Sequence, residues 1–82
     1  MTMTYTVIIE RTATGYGAHV PDLPGCIATG KSRAEVISNI KEAIPRHLYG
    51  LRRDGLPFPK PTKRAFRKPS ADAEQIPLKI SV

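Results

Sequence analysis

Between Val36 and Leu51, apolar residues recur at spacings of three and four: Val36, Ile40, Ala43, Ile44, Leu48 and Leu51. That spacing puts them in one stripe along an α-helix. Ser32-Arg33-Ala34-Glu35, just before the stripe, has the form of a capping box. In it the Ser32 hydroxyl takes the Glu35 amide, and the Glu35 carboxylate reaches back to the Ser32 amide. The spacing predicts a helix from Arg33 to about Arg53. Pro45 lies inside it, and an interior proline removes one hydrogen bond and costs about 3 kcal/mol. The chain therefore forms either one helix kinked at Pro45 or two helices that meet there. Gly55 suits the position just past the helix end, and Pro57 enforces the stop.

A helix with one apolar stripe needs a surface to cover, and the rest of the chain reads as strands. Thr4 to Thr12 is rich in β-branched residues. Tyr5, Val7 and Ile9 share one face and Thr6, Ile8 and Glu10 the other, so this strand is central or covered on both sides. Gly15 and Gly17 follow in a hairpin loop, where they supply left-handed geometry. Tyr16 to Val20 is the second strand, ended by Pro21. Pro24-Gly25 fits the centre of a type II turn. Gly25 to Thr29 is a short third strand, which Gly30 closes. Near the end of the sequence, Ile76, Leu78, Ile80 and Val82 alternate with Pro77, Lys79 and Ser81, as in a half-buried strand that Pro77 places at an edge. It either returns to its own sheet or pairs with a neighbouring subunit. The order β-β-β-α-β predicts an α+β domain: an antiparallel sheet of three to four strands packed with one long helix. The whole of 1–82 is expected to be a single domain, with a core over 4–56, a proline-rich basic linker over 57–75 and the last strand over 76–82.

With 82 residues, such a domain buries only about 60% of its unfolded surface, and one core supplies roughly 3–5 kcal/mol. One cysteine rules out a disulfide, and neither a C-x-x-C nor an H-x-x-x-H pattern is present for zinc. Self-association, as a homodimer or homotetramer, is the expected source of further stability. No run of about 18 apolar residues spans a membrane. The start of the sequence lacks the basic region and cleavage site of a signal peptide. A free cysteine fits the reducing cytoplasm.

Thirteen Lys and Arg against seven Asp and Glu give a net charge of +6. The excess is uneven: Lys60, Lys63, Arg64, Arg67 and Lys68 fall in a stretch, Gly55 to Ala71, that holds no acidic residue. These five are candidates for contact with nucleic acid or another partner, and Phe66 lies among them. Ile76, Leu78, Ile80 and Val82 are the candidate self-association strand. Pro21, Asp22, Pro24 and Gly25 read as a structural turn, with Asp22 bonded to its own backbone. Cys26 would need a base, His19 being a candidate, and a depressed pKa to act as a nucleophile. A cysteine inside a strand is better read as packing. No phosphate-binding loop occurs, and so few acidic residues do not fit a metal-dependent nuclease. No catalytic residue, metal site or cofactor is expected.

The runs YTVIIE (Tyr5 to Glu10), GYGAHVPDLPGCIATG (Gly15 to Gly30), SRAEVISNIKEAI (Ser32 to Ile44) and GLPFPKP (Gly55 to Pro61) together resemble the HicB-like antitoxin family. The resemblance covers about residues 4 to 61 and, loosely, the last strand. It implies a partial ribonuclease H fold without the catalytic acids, which serves binding. The implied function is neutralisation of a HicA-like toxin, a small RNA-cleaving protein, by a self-associating antitoxin. The alternatives are a nucleic-acid-binding regulatory module that uses the basic segment and an oligomeric domain with no other partner.

Overall fold

The computed structural model describes residues 2–61 and 72–81. Strand β1 spans Thr2–Thr12, β2 Gly15–His19 and β3 Ile27–Gly30; helix α1 spans Arg33–Arg53 and strand β4 Glu74–Ser81. The strands form one antiparallel sheet in the order β3-β2-β1-β4, with α1 packed on it. The fold is α+β, as the element order predicts. β1 begins two residues before the expected Thr4 and β4 two before Ile76. β3 starts at Ile27 rather than Gly25 and includes Gly30.

β1 is central: Ile8 pairs with His19 on β2 and with Gln75 on β4. Tyr5, Val7 and Ile9 are buried in one cluster with Val36, Ile40, Ile44 and Leu48 of α1. Each such aliphatic side chain contributes about 1.5–3 kcal/mol when fully buried. The four from α1 together outweigh the roughly 3 kcal/mol lost at an interior proline. α1 accordingly runs through Pro45 as one helix, and the two-helix alternative falls. Cover on both faces of β1 was the other expectation. Among the described residues no helix lies on the second face; Thr4 there is exposed and Thr6 half-buried, although Ile8 is buried.

Both ends of α1 are closed by local hydrogen bonds. The Ser32 hydroxyl accepts from the Glu35 amide at 3.0 Å. The Glu35 carboxylate reaches one residue further than the capping box requires and accepts from the Lys31 amide at 3.2 Å. At the other end the Gly55 amide donates to the Arg52 carbonyl and the Leu56 amide to the Leu51 carbonyl. This Schellman arrangement needs a left-handed residue past the cap, and Gly55 has φ +74°.

The expected role of Gly15 and Gly17 is corrected, since neither has a positive φ. The Ala13–Thr14 turn joins β1 to β2 without a left-handed residue. Gly15 is needed for a different reason. A Cβ there would lie 2.4 Å from the Gly30 carbonyl oxygen, where the start of β2 meets the end of β3.

Candidate partner-binding surfaces

The turn predicted around Pro21 is two successive β-turns. The Leu23 amide donates to the Val20 carbonyl and the Cys26 amide to the Leu23 carbonyl, each at 3.0 Å. Pro21 and Asp22 occupy the centre of the first, and Pro24 and Gly25 that of the second. Gly25 has φ +87°, as a type II turn demands. The Val20 amide closes the corner on the Cys26 carbonyl at 3.2 Å. Cys26 is buried in the helix-side core, and burial pushes its thiol pKa up, away from the reactive thiolate. His19 pairs with Ile27, one position along from the Val20–Cys26 contact. Strand alternation therefore puts the imidazole and the thiol on opposite faces, and the candidate base is not beside the sulfur.

Of the candidate basic residues, Lys60 is exposed; Lys63, Arg64, Arg67 and Lys68 lie outside the described residues, as does Phe66. The chain leading to Lys60 is firmly placed. Phe58 is half-buried against the core, with the Arg52 guanidinium 5.4 Å from its ring centre. The buried Tyr5 hydroxyl donates to the Pro59 carbonyl at 2.6 Å. Burial and the nearby charge of Asp22 raise the Tyr5 pKa.

The candidate self-association strand is β4, and its side chains are already engaged. Ile80 belongs to the protomer's own core, with Ile76 and Leu78 packed against it; Val82 lies outside the described residues. β4 is an outer strand of the described sheet. The opposite edge is short, and Asn39 Nδ2 of α1 donates to the Thr29 carbonyl of β3 at 2.8 Å. β4 is tied down at its start by a two-pronged contact. Arg33 Nε donates to Glu74 Oε1 at 2.6 Å, and a terminal Arg33 nitrogen to Glu74 Oε2 at 2.9 Å.

One surface was not singled out from sequence. On the outer side of the C-terminal half of α1, Tyr49 is 67% exposed, with Arg46 three residues before it and Arg52 and Arg53 three and four after, all exposed. That spacing brings the three guanidinium groups to the same helix face as the ring. A shallow hollow of about 130 Å³ adjoins it, lined by Pro45, Leu48, Tyr49, Arg52, Phe58 and Ser81. The signal in the sequence is that Arg46, Arg52 and Arg53 lie off the apolar stripe. Among the described residues no group of three or more His, Cys, Asp or Glu is placed to hold a metal ion, and no helix is long and apolar enough to cross a membrane.

The described fold is thus a four-stranded antiparallel sheet covered on one face by a single capped helix, with a proline–glycine corner between its second and third strands. Residues 5–75 match the family described as the HicB-like antitoxin of bacterial toxin–antitoxin systems, and the chain belongs to that family. It is 46% identical over 56 residues to a UPF0150 protein of Helicobacter pylori, covering 68% of this chain and 78% of that one. An uncharacterised 14.9 kDa protein of Haemophilus phage HP1 is 41% identical over 58 residues, 71% of this chain. The match spans only 44% of the phage protein's length.

Among solved structures, the N-terminal domain of Burkholderia pseudomallei antitoxin HicB superposes with a TM-score of 0.77 at 27% identity, covering 98% of this chain and 100% of that one. A chain of the HicA3 and HicB3 toxin–antitoxin complex gives 0.66 at 34% identity, with 76% and 72% covered.

Proposed function

We propose that this chain is an antitoxin that binds a HicA-like, RNA-cleaving toxin and neutralises it by occupancy, without catalysing a reaction. The observation that carries the reading is the family match over residues 5–75, joined by the likeness to a chain of the HicA3 and HicB3 complex. The non-catalytic half is supported by the burial of Cys26 on the face opposite His19. The chain acts in the cytoplasm and self-associates. The position of β4 as an outer strand of the described sheet supports self-association, because a strand at a sheet edge is where a second chain can add a strand of its own.

The test is a titration of a HicA-like toxin encoded beside this chain. RNA cleavage should stop at one equivalent of antitoxin, and the two proteins should co-elute. Full cleavage at a several-fold excess of the chain would remove the reading. Light scattering on the purified protein addresses self-association, and the mass of one chain at about 100 μM would exclude it.

A further inference from the structure

The outer face of α1 carries a second binding surface, independent of the toxin reading. We propose that Arg46, Tyr49, Arg52 and Arg53, with Lys60 two residues past Phe58 of the adjoining hollow, bind single-stranded nucleic acid. Tyr49 supplies a ring on which an unpaired base stacks, and the cations take the flanking phosphates.

Three observations converge on this occupant. First, the ring stands largely in solvent. Tyr49 is 67% exposed, whereas Tyr5 is fully buried and bonded to Pro59 and Tyr16 packs against the core. Large aromatic groups left in water at a cationic surface are the common feature of single-strand binding, because every base offers a face to stack on.

Second, the cations are arranged around the ring. Arg46 to Arg53 covers about 10 Å of helix at 1.5 Å per residue, with Tyr49 between them. Among the described residues, Arg53 alone of the three arginines has an acid within ion-pair distance, Asp54 at 3.7 Å, and both side chains are largely exposed. Such a pair is weak, so phosphate competes with it readily. Arg52 lies over Phe58, which holds its guanidinium at the edge of the hollow beside Tyr49.

Third, charge continues past the helix. Lys60 is exposed, and the sequence beyond it adds Lys63, Arg64, Arg67 and Lys68 before any acidic residue. An acidic peptide would satisfy the arginines but makes no use of an exposed ring next to an apolar hollow.

The experiment is fluorescence anisotropy with the full chain and a labelled 12-nucleotide single-stranded RNA, over a range of salt. Four phosphate contacts on a single strand give a log–log salt slope of about −3. Tyr49→Ala should weaken binding about ten-fold, within the range measured for loss of one stacked base, and leave a duplex of the same sequence nearly unaffected. Arg46→Glu and Arg53→Glu should weaken both. Lys31→Glu, at an exposed position just before the opposite end of α1, makes the same change in net charge away from the surface and should leave binding within two-fold. All four positions are exposed, so the variants keep the fold.

An unchanged affinity in Tyr49→Ala, or equal losses from Lys31→Glu and Arg53→Glu, overturns the proposal in favour of diffuse charge. A polyglutamate peptide that binds with the same dependence on Tyr49, while the RNA fails to displace it, overturns it in favour of an acidic protein.

Discussion

Gly30 and Gly50 separate two reasons for a glycine. A Cβ on Gly30 would lie 2.6 Å from the Val36 amide nitrogen and 2.9 Å from its Cα, both backbone atoms. The end of β3 and the first turn of α1 approach too closely for a side chain. Gly30→Ala is expected to cost about 1–3 kcal/mol, as overpacking does, and to lower the melting temperature by about 4–8 °C per kcal/mol. Gly50 sits in α1 with nothing within 4 Å of where a Cβ would be. Gly50→Ala should instead stabilise by about 0.5–1 kcal/mol. Paired thermal melts check both signs. The sequence shows two glycines and cannot rank them, because the contact that fixes Gly30 is made by backbone atoms of another element.

Tyr5 and Cys26 make a second prediction at this scale. Burial, with the charge of Asp22, raises the Tyr5 pKa from its ordinary 10.0, and burial raises that of Cys26 from 9.0. In each case the fold holds the neutral form. The contribution is complete below the ordinary value and is lost as pH rises from there through the folded-state value. Urea midpoints should therefore be flat up to about pH 8.5 and fall above it. The fall should be shallower in Tyr5→Phe and in Cys26→Ala. An alkaline slope unchanged by both substitutions would place the loss elsewhere.

At the scale of the element, α1 shows what a helix tolerates when packing dominates. Pro45 cannot donate a backbone hydrogen bond, yet Ile44 and Leu48 on either side are buried in the same core as Val36 and Ile40. Pro45→Ala should restore a bond worth part of the roughly 3 kcal/mol proline penalty, less up to about 1 kcal/mol for the freer unfolded chain. The expected gain is about 2 kcal/mol in urea denaturation. Ser32→Ala removes the hydroxyl that takes the Glu35 amide and should cost about 1 kcal/mol. No gain from Pro45→Ala would mean that the helix geometry at this point serves the hollow beside Tyr49 rather than the core.

The same helix marks how far local reading reaches. The apolar stripe, the serine cap and Gly55 were legible because their causes lie within a turn or two of sequence. The edge position of β4 was legible from Pro77. By contrast, the Tyr5–Pro59 bond and the Arg33–Glu74 fork join residues 54 and 41 positions apart, and no local pattern announces them. The capping-box pattern puts Glu35 on the Ser32 amide, whereas its carboxylate reaches one residue further, to the amide of Lys31. The cationic face of α1 was missed because charged positions on a helix look alike until the exposure of Tyr49 is known.

At the scale of the whole molecule, the sign of the charge becomes the test. The chain carries +6, and a toxin that cleaves RNA must itself attract phosphate. Two like-charged proteins repel at low salt, and screening removes that repulsion beyond about 10 Å at 0.1 M. The proposed complex with a HicA-like toxin would then rest on short-range contacts. Its association rate is expected to rise, by about two- to ten-fold, between roughly 20 and 300 mM salt, with dissociation little changed. Binding of single-stranded RNA should move the other way, with the slope of about −3 that phosphate contacts impose. Stopped-flow association with toxin and anisotropy with RNA, on one preparation, read both signs. A toxin that associates more slowly as salt rises must present an acidic face. The arginines around Tyr49 would then be where it docks, and RNA and toxin would compete for that surface.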